Sequence, residues 1–235
     1  MAETKKTAAP TAVKSGKSAI GLRVLAFVFW LLGIACEVVA VLILNKTIFV
    51  TPEKMTMWLI IPLVVDLVLV IIGSLLWKKS NRIDPASEKN KLKFWLWNNL
   101  GVIMSVIAFV PIIILFLANK DLDGKTKKIV TIVAAAALLI SGASSYDWNP
   151  VSSEDVERAK AVAEQYPNYT GTVYWTTFGK SYHYSEDCQT LRHSENVAKG
   201  TIDEAIGAKR SDPCDFCAEG AKAKLDALET DGKAE

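Results

Sequence analysis

Four long apolar stretches occupy the first 146 residues of the chain, whereas polar and charged residues dominate the remainder. The first three stretches, residues 24–44, 57–77 and 100–118, contain 21, 21 and 19 residues. About 20 apolar residues in succession are enough for a helix to cross the hydrocarbon core of a bilayer, whereas a soluble helix normally keeps a polar face. The fourth stretch, residues 129–145, is shorter and rich in alanine. We predict that it is also a span, which makes residues 20–146 a four-helix transmembrane bundle.

Two further sequence patterns concern the packing of the fourth helix and the start of the third. Small residues recur at every fourth position of the last stretch, a spacing that lets neighbouring helices approach closely, at Ala137, Ser141 and Ser145. The segment KLKFWLW, residues 91–97, leaves two interpretations open. It forms either a separate stretch along the headgroup surface or an extension of the third span.

The charge distribution changes at the end of the apolar region. Residues 1–146 carry 17 Lys and Arg against 8 Asp and Glu, whereas residues 147–235 carry 10 against 17. The corresponding net charges are +9 and −7, consistent with the +2 of the whole chain. Such a contrast indicates two domains in two different solvents.

The basic residues also predict an orientation, because cytosolic loops are enriched in Lys and Arg. They concentrate in residues 1–19, which we expect to be a disordered arm, and in the loop between the second and third spans. Both segments should therefore be cytosolic, and four spans return the C-terminal domain to the cytosol. The loop between the third and fourth spans contains four lysines, which favour the opposite orientation. Losing the fourth span would reverse the location of the tail.

Two acidic residues interrupt the apolar stretches, Glu37 in the first and Asp66 near the centre of the second. An ionisable residue inside a span is costly and is therefore a functional candidate. No Lys or Arg lies deep in any of the four stretches. Two interpretations remain open, a protonated carboxyl group that joins two helices and a path for ion or proton transport.

Metal-ligating residue types cluster in the tail, where three of the four cysteines and both histidines occur. Cys214 and Cys217 form a C-x-x-C motif, and Cys188 offers a third thiol. One histidine would complete the closed four-ligand sphere of a structural zinc site. We favour His183, on the second strand of a predicted β-hairpin, with His193 as the rival.

Alternatives to a metal follow from the same cysteines. A disulfide would require that the tail face an oxidising compartment. A thiol redox pair would normally have a βαβ context, which the tail lacks. We therefore predict one Zn²⁺ per chain, with another thiophilic divalent metal as the alternative. Cys36 lies in the first span, where we expect it to be a buried apolar residue and not a ligand.

The tail pattern predicts a small α+β fold. Residues 147–170 form a helical linker, and residues 171–235 form the metal-binding domain. The domain should contain a β-hairpin with its turn at residues 178–180. A short capped helix at residues 202–208 follows, then the C-x-x-C knuckle and a final helix at about residues 218–230.

About 50 residues of the tail match a known sequence pattern. They read VYWTTFGKSYHYSEDCQTL…TIDEAIGAKRSDPCDFC. This segment is similar to V-Y-x-T-x-x-G-x-x-Y-H-x-x-x-C-x-x-L, followed by EA and G-x-x-P-C-x-x-C. That pattern is typical of small bacterial domains related to the metal-binding domain of the Ada DNA-repair methyl acceptor, which also occur as tails on nucleases and membrane proteins. The resemblance implies four metal ligands, His183, Cys188, Cys214 and Cys217. The Ada domain transfers a methyl group to one of four cysteines, and since only three lie here we do not expect that activity.

The membrane part, especially NNLGVIMSVIAFVPIIILFLANKDLDGKTKKIV with SYDWNPVSSEDVE, resembles multi-span proteins of unknown function from Gram-positive bacteria. This resemblance implies a bacterial cell membrane as the location.

These features favour a binding or scaffold protein, in which a membrane anchor displays a zinc module to a protein partner. The expected partners are the lipid bilayer and an unknown protein. Assembly into a homo-oligomer is a further alternative. We do not expect nucleic-acid binding, because the tail is acidic and such sites need clustered Lys and Arg. We expect no enzyme, because no nucleophile–base arrangement or phosphate loop is evident. Ion or proton-coupled transport through Glu37 and Asp66 is the alternative function.

Overall fold

A computed structural model describes residues 15–232 of the chain, with side chains for residues 19–228. These residues form two compact units. The membrane unit contains residues 19–80 and 90–150, and the tail unit contains residues 81–89, the chain from residue 151 onward and the N-terminal end of the first helix. Most of the predicted arm lies outside the described residues, and its last five residues already belong to the first helix.

Four long helices build the membrane unit: α1 (Ser15–Leu44), α2 (Met55–Ile83), α4 (Leu100–Ala118) and α5 (Gly124–Ser145). Each is long and apolar enough to cross a membrane. The shorter α3 (Lys91–Asn98) precedes α4. The predicted mainly α fold with four apolar helices is therefore confirmed.

The segment KLKFWLW is a helix of its own. Asn90 caps its N-terminus by accepting a hydrogen bond from the Lys93 N–H. Asn99, with φ −106° and ψ 21°, interrupts the helical backbone before α4 begins. The segment is therefore not a continuous extension of the third span.

Small residues allow α4, α5 and α2 to approach closely. A Cβ atom on Gly101 would lie 2.5 Å from Ser74 Oγ and 3.1 Å from Ser145 Cβ. Ala137, Ser141 and Ser145 of α5 are all buried, so the predicted small-residue face is used inside the bundle. Many large apolar side chains on these helices are instead exposed, as lipid-facing residues are, including Ile20, Leu31, Ile114, Ile132 and Leu139.

The tail unit combines three helices with a four-stranded sheet in the order β3-β1-β2-β4. Its elements are α6 (Ser153–Ala163), β1 (Val173–Thr176), β2 (Ser181–His183), β3 (Val197–Gly200), α7 (Ile202–Gly207), β4 (Asp212–Pro213) and α8 (Ala221–Gly232). The predicted hairpin is β1–β2, and the predicted short capped helix is α7, which begins with a capping box of Thr201 and Glu204. A buried core, which includes Val162, Val173, Tyr182, Tyr184 and Ile202, holds the sheet and helices together.

The last three residues of α2 and the loop that joins α2 to α3 also belong to the tail unit, and we call residues 81–89 the docking loop. The Ser153 N–H donates to the Ala86 carbonyl oxygen over 3.1 Å. Glu154 accepts hydrogen bonds from the Ser87 hydroxyl at 2.5 Å and from the Glu88 N–H at 2.9 Å. These hydrogen bonds join the loop to α6 within the tail unit.

Candidate metal centre

The central strands of the tail sheet bring two of the predicted ligands together. His183 is the last residue of β2. The short strand β4 runs parallel to β2, with Tyr182 opposite Pro213. This register continues one residue further, because the Cys214 N–H donates to the Tyr182 carbonyl oxygen over 2.9 Å. Sheet pairing therefore places Cys214 beside His183, although 30 residues separate them in sequence.

Two turns supply the other thiols. Cys188 opens a tight turn in which its carbonyl oxygen accepts from the Leu191 N–H at 2.8 Å. Cys217 follows Cys214 in the C-x-x-C knuckle, which is closed by a 2.9 Å bond from the Ala218 N–H to the Cys214 carbonyl oxygen. Both turns direct their sulfur atoms toward the end of β2.

The four side chains form one compact group. One ligand atom from each of His183, Cys188, Cys214 and Cys217 lies within 4.8 Å of the others. The Cys188 and Cys214 sulfurs are 3.9 Å apart, and the Cys217 sulfur is 3.8 Å from His183 Nδ1. A tetrahedral zinc ion with Zn–S bonds of about 2.3 Å and a Zn–N bond of about 2.0 Å requires ligand separations of about 3.8 Å for S···S and about 3.5 Å for S···N. The residues present therefore fit a tetrahedral metal, and His183 Nδ1 is a nitrogen within ligand distance of a thiol.

Burial and hydrogen bonding favour the metal-binding form of two ligands. His183 is 7% exposed, and burial lowers its pKa below the ordinary value for histidine. The neutral imidazole, which is the form that binds a metal, is therefore favoured. Burial also acts to raise the pKa of Cys188, but hydrogen bonds from Thr190 and from the other two thiols outweigh it and lower that pKa. Burial raises the pKa of Cys217 to about 12, so this thiol needs a cation beside it to become a thiolate.

Thr190 is a site residue that sequence reasoning missed. Its hydroxyl oxygen lies 3.1 Å from the Cys188 sulfur, 3.3 Å from His183 Nδ1 and 3.6 Å from the Cys214 sulfur. Its hydroxyl can therefore donate a hydrogen bond to a ligand sulfur and orient it, as outer-shell partners of metal sites do. Threonine is not a zinc ligand type, so the only signal in the sequence was its position two residues after Cys188.

The other candidates lie elsewhere. His193 is exposed and does not belong to the group of four. Cys36 and Glu37 lie in α1 of the membrane unit, and Asp66 lies in α2. All four cysteines are free thiols.

Four membrane-competent helices and a His/Cys3 group fit a membrane protein that carries a metal-binding module. Comparisons with protein-family models, curated proteins and solved structures found no match to this chain. The Ada-type resemblance and a bacterial origin therefore stay predictions.

Proposed function

We propose that this chain is a multi-pass membrane protein whose tail binds one structural Zn²⁺ and presents the resulting module to a protein partner. The proposal includes a bacterial cell membrane, cytosolic N- and C-termini and no enzymatic activity. The observation that carries it is the buried group of His183, Cys188, Cys214 and Cys217, whose ligand atoms all lie within 4.8 Å of one another.

The donor set supports zinc and a structural role. Three thiols and one imidazole suit a thiophilic metal of tetrahedral preference. Catalytic zinc sites use three protein ligands and keep the fourth position for water or substrate. Here the protein supplies all four ligands. The metal would therefore stabilise the small sheet and not activate a water molecule.

The docking loop supports the proposed orientation. The loop carries Arg82 and Lys89, and further basic residues flank it at Lys78, Lys79, Lys91 and Lys93. A basic loop favours the cytosolic side. Since the loop and α6 are in direct contact, the tail follows the loop to that side.

Metal analysis of the purified full-length chain tests the ligand assignment. Wild type should contain one zinc per chain, and His183→Ala and Cys214→Ser should lose it. His193→Ala and Cys36→Ser are matched controls, because each removes the same residue type from outside the group, and both should retain the metal. Zinc loss in His193→Ala with retention in His183→Ala would overturn the assignment.

The proposed partner interaction has its own test. Crosslinking in intact cells should capture the same protein with wild type and with His193→Ala, and should fail with Cys214→Ser. Equal capture by all three chains would show that the zinc module does not present the binding surface.

Transport is a second candidate function, favoured by the carboxyl group of Asp66 inside the membrane unit. Reconstituted wild-type protein should then carry a proton or ion flux, which Asp66→Asn and Glu37→Gln abolish. If transport is not the function, vesicles with wild-type protein will show no flux above that of protein-free vesicles.

A further inference from the structure

The buried carboxyl groups of the membrane unit indicate a second ion site. We propose that Asp66 and Glu37 hold one hard metal cation between α1 and α2. This inference is independent of the zinc module, and binding at this site does not require transport.

Asp66 is the centre of the proposed site. Its exposed fraction is 0%, and neither carboxyl oxygen has a hydrogen-bond partner among the described residues. A protonated carboxyl group that joined two helices would donate to an acceptor on its neighbour. No such acceptor is found in the described part of the chain, so direct helix-to-helix bonding does not account for this side chain.

The face of α1 that meets Asp66 is suited to an ion. Gly33, Cys36 and Glu37 lie on one side of the helix, at positions i, i+3 and i+4. A Cβ atom on Gly33 would clash with Asp66 Oδ1, so glycine lets the carboxylate sit directly against the α1 backbone. Glu37 Oε1 is also buried and has no hydrogen-bond partner among the described residues. Glu37 is one helical turn from Gly33 and therefore lies on the face of α1 that contacts Asp66.

Among the described residues, neither carboxyl group forms an ion pair with Lys or Arg. The stretches 24–44 and 57–77 contain no Lys or Arg. Arg23, at the edge of the first stretch, lies over the rings of Trp77 and Trp97, 5.9 and 5.3 Å from their centroids. Buried charges are normally paired or coordinate a metal. A bound cation would therefore supply the opposite charge that these two stretches do not.

The donor atoms select the class of cation. Carboxylate oxygens suit hard cations that take oxygen ligands. The two side chains offer four carboxyl oxygens, to which water can add. Both Na⁺ and Ca²⁺ have this chemistry, and the binding experiment separates them.

The test uses the full-length, zinc-loaded protein in lipid nanodiscs. Binding of ²²Na⁺ and of ⁴⁵Ca²⁺ is measured separately, with choline chloride replacing the salt in the reference sample. One of the two cations should bind at about one per chain. Asp66→Asn should abolish that binding, and Glu37→Gln should weaken it at least about tenfold. Glu53→Gln removes an exposed charge just before α2 and should bind as wild type does.

Circular dichroism and size-exclusion chromatography of each variant report on its folding. If Asp66→Asn does not fold, Glu37→Gln decides the matter by its weakened binding. The proposal is overturned if neither cation binds to folded wild-type protein, including the case in which only protons are taken up. It is also overturned if both carboxyl variants bind as tightly as Glu53→Gln.

Discussion

The contact between α6 and the docking loop gives a prediction that can be tested without unfolding the membrane unit. Glu154 accepts two hydrogen bonds from the loop, from the Ser87 hydroxyl and the Glu88 N–H. Glu154→Gln keeps the shape of the side chain but removes the charge. Hydrogen bonds to a charged group contribute about 1.5–3 kcal/mol each, and neutral ones about 1 kcal/mol. Because glutamine can keep one neutral bond and Glu154 is partly exposed, we expect a loss of about 1–2 kcal/mol in loop docking.

Hydrogen exchange measured by mass spectrometry can detect this loss. A loss of about 1.4 kcal/mol corresponds to a tenfold change in an equilibrium constant. The amide of Glu88, which donates to Glu154, and the amide of Ser153, which donates to Ala86, should therefore exchange roughly 5–30 times faster in Glu154→Gln. Glu157→Gln is the matched control, since it makes the same charge change at an exposed position of the same helix. If Glu154→Gln and the control both exchange as wild type does, the reasoning about the contact is refuted.

The same contact predicts a pH dependence. Burial acts to raise the pKa of Glu154, but hydrogen bonds from Ser87 and Glu88 outweigh it and hold that pKa at about 2. The ordinary pKa of glutamate is about 4.3. Ionised Glu154 therefore stabilises docking fully above about pH 4, and its contribution is lost as the pH falls from there toward 2. After correction for intrinsic rates, exchange at Glu88 should be constant from about pH 7 to 5 and should rise below about 4. The Glu154→Gln variant should lack that rise.

Two further substitutions test other parts of the account. Thr190→Val removes the hydroxyl beside the ligands and should lower zinc affinity about tenfold or more. Competition with a chromophoric chelator measures this affinity, and an unchanged value would exclude a positioning role for Thr190. Gly101→Ala introduces a Cβ atom 2.5 Å from Ser74 Oγ and should destabilise the membrane unit by about 1–3 kcal/mol. Gly142→Ala is the control, because nothing lies within 4 Å of the added atom. Equal stability of the two variants in reversible unfolding would contradict the close packing of Gly101 against Ser74.

Hydropathy predicted the four membrane helices because side chains that are exposed to lipid are apolar, and this makes each span a long apolar stretch in the sequence. The third stretch, residues 100–118, has the bounds of α4. The second helix continues past the predicted stretch to Ile83. Its last residues are polar and belong in part to the docking loop, where hydropathy carries no signal. The helical backbone also extends α1 back to Ser15, inside the segment expected to be disordered.

The metal ligands were predictable because few residue types bind zinc and they cluster in the sequence. The choice between His183 and His193 was not settled by spacing alone. It depends on the parallel pairing of β2 with β4, which sets Cys214 against the end of β2. Strand β4 has only two residues, Asp212 and Pro213, and proline is unfavourable in most strands. No local pattern could therefore have indicated it.

The contacts of the docking loop could not be predicted from the sequence either. Ser87 and Glu154 are 67 residues apart, and both are ordinary polar residues in polar surroundings. Strand β3, residues Val197–Gly200, is similar, since it pairs with β1 but has little of the apolar alternation that marks a strand. These features arise from tertiary pairing and not from local propensity.

X-ray absorption at the zinc edge, recorded on full-length protein purified without added metal, identifies the atoms that bind the ion. A site formed by His183, Cys188, Cys214 and Cys217 should give one zinc per chain with three sulfur ligands at about 2.3 Å and one nitrogen ligand at about 2.0 Å. Protein that contains no metal, with Cys188, Cys214 or Cys217 joined in a disulfide, would contradict this expectation. A bound zinc with oxygen ligands in place of these sulfurs would contradict it equally.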